Sequence, residues 1–239
     1  MAGEVMIYLY GIQIDENQHD NEILSLLAKI SEERREKAKK YIKQIDQNRC
    51  ILGEVLLRYI LLKHYGITSK EIAFQYNEYG KPSLIKPKGI HFNISHSGEW
   101  VLCGVSDMPI GIDVEGGMEE VIPIAERFFT EKEIRYIDSH LLGNQYDAFY
   151  KIWTLKESYI KCVGMGLQIP LNSFNFEFLK EKISIYVEGL LDNKYIFKSK
   201  KINDRYYMAL CVLGKTYNLW GNDIKNISLE ELMSSSNYF

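Results

Sequence analysis

An α+β fold made of two similar halves is what this sequence predicts, and three observations predict it. Two long apolar helical patterns, Asp46 to Tyr65 and Asp147 to Val163, each close at a glycine, Gly66 and Gly166. A short charged helix start precedes each of them, at Ser31 and at Thr130. Strand patterns surround both, so one unit recurs at an offset of about 100 residues although the halves share negligible sequence identity. The expected architecture is a pseudo-dimer of two α/β subdomains, residues 1–107 and 108–239, each a small, mostly antiparallel sheet packed with a long helix. A seam between such halves is a favoured place for a cleft, so the active site is expected there.

Taken in order, Val5 to Ile14 reads as an opening strand. Its apolar part is too short to cross a bilayer and lacks a basic leader and a cleavage site, so neither membrane attachment nor secretion is expected. Ser31-Glu-Glu-Arg opens a helical stretch crowded with Arg34, Arg35, Lys37, Lys39, Lys40 and Lys43. This is either a solvated face balanced by Glu32, Glu33 and Glu36 or a surface for anions. In the first long helix Ile51, Val55, Tyr59 and Leu62 recur at helical spacing, with Leu52, Leu56 and Leu57 widening the stripe. Ile72 to Tyr76 then runs as a strand into the turn Asn77-Glu-Tyr-Gly-Lys-Pro.

Ile94-Ser-His-Ser-Gly98 reads as a tight polar loop, and Trp100 to Val105 and Ile110 to Glu115 as strands around the turn at Met108-Pro109. Gly116-Gly-Met-Glu-Glu120 is expected to be flexible and acidic, and Thr130-Glu-Lys-Glu133 matches a capping box. Asp138 to Asn144 reads as a loop before the second long helix, whose apolar side carries Phe149, Ile152, Trp153, Ile160 and Val163. Phe174 to Phe178, Ile183 to Glu188, Tyr195 to Lys201 and Tyr206 to Leu213 read as strands, and Ser234 to Phe239 as a loose tail.

With 46% hydrophobic residues the chain has enough apolar material for a real core. A net charge of -3 argues against a partner held by bulk positive charge, so no nucleic acid is expected. Cys50, Cys103, Cys162 and Cys211 are scattered with no CxxC pair, which fits reduced thiols in a cytoplasmic protein rather than a zinc or disulfide framework.

The chemistry concentrates in His91 to Glu115 and in the second long helix. The two-residue period of a strand puts Asp113 and Glu115 on one face, with Ile112 and Val114 on the other. Two close carboxylates persist most easily around a cation, and an all-oxygen set favours a hard one such as Mg²⁺. On the helix, Trp153, Glu157 and Lys161 recur at i, i+4 and i+8, a spacing that equally describes a plain surface ion pair. Lys81 is held between Gly80 and Pro82, pre-positioned for a phosphate or simply exposed; Arg49, at a helix start, is open to the same two readings. Together, three acids for a metal and Arg34, Lys37, Arg49, Lys81, His96 and Lys161 for phosphates make an apparatus for a multiply phosphorylated ligand. No Walker or kinase signature is present, and the glycines at 164 and 166 follow a helix rather than a strand, which excludes a dinucleotide motif.

The segments Asn77-Glu-Tyr-Gly-Lys-Pro, Phe92-Asn-Ile-Ser-His-Ser, Gly111-Ile-Asp-Val-Glu and Trp153-Thr-Leu-Lys-Glu-Ser-Tyr-Ile-Lys161, in this order and spacing, resemble the 4'-phosphopantetheinyl transferases of the surfactin-synthetase-activating type. The resemblance spans roughly residues 5 to 215. It implies Mg²⁺-dependent transfer of phosphopantetheine from coenzyme A to a serine of an apo acyl or peptidyl carrier protein, releasing adenosine 3',5'-bisphosphate. By position it implies Asp113, Glu115 and Glu157 as metal ligands and Lys161 and His96 at the diphosphate. Arg34, Lys37 and Arg49 would surround the 3'-phosphate, and Lys81, Pro82 and Ser95 complete the nucleotide pocket. Glu157 is the expected base, Glu133 a second candidate, and Gly164 to Ser173 the carrier-docking loop. A monomer serving nonribosomal peptide, polyketide or fatty acid synthases, as in antibiotic biosynthesis, is further implied. Where relatives often place a basic residue, this chain has the acidic segment ending at Glu120, which bears on affinity rather than on reaction type. The alternatives are a coenzyme A or nucleotide binding module without turnover and another Mg²⁺-dependent phosphotransferase.

Overall fold

A computed structural model describes residues 6–14, 19–117, 121–140, 145–180, 182–214 and 223–236. The first half runs β1 (Ile7–Gln13), α1 (Asp20–Ser25), α2 (Glu32–Ala38), α3 (Gln44–Tyr65), β2 (Ala73–Tyr76), β3 (Pro82–Lys86), β4 (His91–Ser97) and β5 (Trp100–Ser106). The second runs β6 (Ile110–Gly116), α4 (Ile122–Phe128), α5 (Glu131–Asp138), α6 (Gln145–Val163), β7 (Phe174–Leu179), β8 (Lys182–Val187), β9 (Leu190–Asp192), β10 (Tyr195–Lys201) and β11 (Tyr206–Leu213), followed by β12 (Lys225–Asn226) and α7 (Leu229–Ser235).

The architecture is α+β with two subdomains. β12, β1, β5 and β4 form one sheet in that order, antiparallel except for the β12–β1 pair, and α3 packs on it. β10, β11 and β6 form the second sheet, wholly antiparallel, under α6. The two long helices are buried for the reason their patterns gave: Ile51, Leu52, Val55, Leu56 and Leu57 of α3, and Phe149, Ile152 and Leu155 of α6, have no exposed surface. α3 ends in a left-handed Gly66 and α6 is followed by a left-handed Gly164, conformations that only glycine adopts without strain.

β4 and β6 are the edge strands that meet at the seam. In place of a backbone ladder, side chains of β4 reach across it: Asn93 Oδ1 accepts from Ile112 N at 2.8 Å and Ser95 Oγ from Val114 N at 3.3 Å. Beyond this stitching Ile7, Leu9, Trp100 and Leu102 of the first sheet share one apolar cluster with Ile112, Val114, Met208 and Leu210 of the second.

Four expectations change. Ile94 to Ser97 are not loop but the end of β4, paired with β5 as far as Ser97 opposite Trp100. Their polar pattern reflects a strand facing a polar seam instead of an apolar core. β5 and β6 are not a hairpin; β5 pairs with β1 and β4, and β6 with β11, because the turn between them crosses the seam. A division at residue 107/108 does not describe the chain's end. β12 pairs with β1, and Ile227 and Leu232 enter the core cluster built by α3, so these residues return to the first half. The tail begins as helix, with Ser228 capping α7, and residues 237–239 lie outside the described residues. Val5, Met118 to Glu120 and the loop positions 141–144 lie outside them too.

Candidate active site

β6 brings Asp113 and Glu115 to the face that α6 covers, opposite Ala209 and Tyr207 of β11. Gly111 lets the helix approach so closely: a Cβ there would lie 2.0 Å from Ser158 O and 2.4 Å from Cys162 N. The close approach sets Glu157 and Lys161 against the two strand carboxylates. Lys161 Nζ donates to Asp113 Oδ1 at 2.5 Å and to Ser95 Oγ at 3.0 Å. Ser95 Oγ in turn donates to Asp113 Oδ1, and Ser97 Oγ donates to Glu115 at 2.8 Å.

The electrostatics are unbalanced. Asp113 is fully buried, and burial raises its pKa although Lys161 and Ser95 pull it down. Glu115 is pushed up to about 7, by burial first and then by the charge of Asp113. Glu157 is raised by burial and by Asp113. Burial works against the Lys161 ammonium, but Asp113, Glu157 and Glu115 outweigh it and raise its pKa. Three acids thus face one ammonium, and Asp113 Oδ2 is buried with no hydrogen-bond partner. Among the described residues no group of three His, Cys, Asp or Glu side chains stands ready to hold a metal ion. The donor chemistry of Asp113, Glu115 and Glu157 nevertheless suits a hard cation, since all are carboxylates and one buried oxygen is left without a partner.

A cleft of about 270 Å³ opens beside this cluster, lined by Lys81, Pro82, Asn93, Glu157, Lys161 and Gly164 among others. Its far wall is the turn 77–81. Asn77 Oδ1 accepts from Tyr79 N and Lys81 N, and Asn77 Nδ2 donates to Gly164 O, tying the turn to the end of α6. Lys81 Nζ donates to Cys162 O at 3.1 Å, a cation on the carbonyl end of α6, and burial lowers its pKa. Pro82 also borders a narrow crevice, too tight to admit a water molecule, that it shares with Arg34, Glu54, Tyr76 and Ile94.

The remaining candidates spread outward. His96 points to the surface; the packing it has and the charges of Arg49 and Lys161 lower its pKa, which keeps it neutral. Arg49 donates to Gly98 O and to Asp46, both at 2.7 Å, so it holds the β4–β5 turn. Lys37 is exposed. Glu133 is a correction: it does not join the cluster. It is fully enclosed, accepts from Thr130 N and Oγ1 and from Phe176 N, and pairs with Lys156 at 2.9 Å. A carboxylate without access to solvent and with its oxygens engaged has no route to an incoming hydroxyl. Asn93 and Ser97 are site residues that the motif reading missed; the two-residue period of Asn93, Ser95 and Ser97 was the available signal.

Residues 109–211 match the model of the 4'-phosphopantetheinyl transferase superfamily, and residues 17–107 match that of the 4'-phosphopantetheinyl transferase N-terminal region. The chain is 36% identical over 226 residues to the 4'-phosphopantetheinyl transferase Sfp of Bacillus subtilis, covering 94% of this chain and 99% of that one. It is 35% identical over 230 residues to the 4'-phosphopantetheinyl transferase gsp of Aneurinibacillus migulanus, covering 93% and 96%. The holo-[acyl-carrier-protein] synthase of Thermotoga maritima overlays with a TM-score of 0.39 at 25% identity, covering 46% of this chain and 64% of that one. The protein is thus an enzyme of the phosphopantetheine-transferring class. Within that class the near-complete match to the two bacillar enzymes places it in the Sfp-type 4'-phosphopantetheinyl transferase family. Among the described residues no helix is long and apolar enough to cross a membrane.

Proposed function

We propose that the enzyme transfers 4'-phosphopantetheine from coenzyme A to a serine of an apo acyl or peptidyl carrier protein, with Mg²⁺ as cofactor, and that the 270 Å³ cleft receives the donor. One observation carries this reading: Lys161 pairs with Asp113 at the cleft wall, Glu157 and Glu115 lie near enough for their charges to raise its pKa as well, and Asp113 Oδ2 is left unsatisfied. Such an excess of buried negative charge calls for a cation.

Asp113, Glu115 and Glu157 would hold Mg²⁺, which when bound stabilises negative charge on the diphosphate oxygens. Lys161 meets the same diphosphate from the helix side and is kept charged by the acids around it. Ser95 and Ser97 orient Asp113 and Glu115 through their hydroxyls. Glu157, whose pKa is raised by burial and by Asp113, is suited to take the proton of the carrier serine as its oxygen bonds to phosphorus. The P–O bond to the nucleotide then breaks and adenosine 3',5'-bisphosphate leaves. Lys81 and Pro82 line the nucleotide side of the cleft, and Tyr79 and Leu167, both exposed at its rim, offer apolar contact to the carrier beside the loop 164–173. One chain supplies both walls, which supports a monomer; carriers of nonribosomal peptide, polyketide or fatty acid synthases in the cytoplasm are the proposed partners.

Intact mass spectrometry of an apo peptidyl carrier protein incubated with the enzyme, coenzyme A and Mg²⁺ tests the proposal. A gain of one phosphopantetheine that disappears with EDTA is expected. No gain with any apo carrier, alongside coenzyme A binding by calorimetry, would mark a binding module instead. Asp113→Ala or Glu157→Ala is expected to abolish transfer while leaving the thermal transition in place.

A further inference from the structure

Both subdomains fasten the start of a short helix with a hydroxyl, a carboxylate and a cation, but the charges have changed places between them. In the second, Thr130 N and Oγ1 donate to Glu133, the third residue of α5, and the long helix α6 supplies the cation, Lys156. In the first, Ser31 N and Oγ donate at 2.7 Å each to a carboxylate that comes from the long helix, Glu54 of α3, while the third residue of α2 is Arg34. The acid that elsewhere stands on the short helix stands on the long one, and a cation takes its place.

The exchange has a physical consequence. Lys156 and Glu133 are both 0% exposed and satisfy each other. Glu54 is compensated by Arg58, whose Nε donates to it at 2.9 Å, so it does not need Arg34 as its main counter-charge. The Arg34 guanidinium stands 3.8 Å from Glu54, with its side chain 20% exposed beside Pro82, which also lines the cleft. A guanidinium steered by one buried carboxylate and not consumed by it is set to bind a dianionic phosphate monoester.

We infer that Glu54 is a positioning residue for donor recognition. By holding Ser31 and steering Arg34 it sets the receptor for the 3'-phosphate of the nucleotide, and Arg58 keeps it from neutralising that receptor. Because coenzyme A as donor is itself proposed, the test separates the two ideas. Transfer kinetics are measured with coenzyme A and with 3'-dephospho-coenzyme A for the wild type, Glu54→Gln, Arg34→Gln and the double variant. Glu54→Gln is expected to lower kcat/KM with coenzyme A about tenfold, mainly through KM, and to leave the dephospho donor unchanged. The double variant is expected to be no worse than Arg34→Gln alone. Equal losses on both donors, or losses that add in the double variant, would show a merely structural carboxylate and overturn the inference. So would a wild type that does not distinguish the donors. A wild type that transfers from neither donor refutes the proposed function instead. If Glu54→Gln does not fold, Ser31→Ala, which removes both the hydroxyl's bond to Glu54 and its cap on Arg34 N, is expected to show the same donor-selective loss, about threefold, and an equal effect on both donors would overturn the inference.

Discussion

Two lysines five positions apart on α6, Lys156 and Lys161, each pair with a buried carboxylate, and almost everything else about them differs. Lys156 also donates to Leu171 O and Phe174 O at 2.7 Å each, and its partner Glu133 has both oxygens engaged. That pair is closed. It joins α5, α6 and the start of β7, and it has nothing left to offer a ligand. Lys161 is 28% exposed, shares its one carboxylate with Ser95, and has Glu115 and Glu157 beside it with raised pKa values. That pair is open. The same residue types one and a half turns apart form a closed pair in one place and a pair open to a ligand in the other, and the difference lies in whether the surrounding groups exhaust the hydrogen-bonding capacity.

The comparison breaks or sharpens by substitution. The largest effect is expected for Glu133→Gln, which leaves Lys156 charged and enclosed without its counter-ion. A loss of about 3–5 kcal/mol in denaturant unfolding is expected, and a loss under about 1 kcal/mol would mean that the pair is not closed. Next, Lys161→Met is expected to slow transfer at least about a hundredfold while destabilising the fold less than Glu133→Gln does. If it unfolds the protein instead, the two lysines are doing the same job.

Glu115→Gln is expected to act with the opposite sign on stability. Its folded-state pKa is raised to about 7 from a usual 4.5, so the ionised carboxylate destabilises the fold fully above pH 7 and not at all below the unfolded value. The variant, measured with EDTA present, is therefore expected to be about 1–2 kcal/mol more stable than wild type at pH 8, with the advantage fading as pH falls through 7 toward 5. An advantage independent of pH would refute repulsion as its source. The smallest effect is expected for Ser97→Ala, which frees Glu115 from its hydroxyl: about threefold in kcat, with stability within about 1 kcal/mol of wild type.

Much of this was legible. The stripes of α3 and α6, the Thr130 capping box and the shared face of Asp113 and Glu115 all follow from local periodicity, because each reflects one element against one neighbour. What periodicity misreads is a strand that faces something polar. Asn93, Ser95 and Ser97 alternate as a strand should, but they point at a seam stitched by side chains, so the stretch looks like a loop. Long-range pairings were equally hidden. Nothing near Glu133 announces that Lys156 will enclose it, and nothing near Glu54 announces that it caps Ser31. The motif order identified the family, yet the sorting of its acids into closed and open sites required the folded chain.

The return of β12 and α7 to the first sheet has a consequence for biosynthesis. Ile227 and Leu232 complete a core whose other members, from Tyr10 to Val105, are made much earlier on the ribosome. Until the second subdomain has been synthesised, the nascent first half holds β1 as a bare sheet edge and α3 with an uncovered apolar flank. The first core is therefore closed only once the residues after the second sheet have been made.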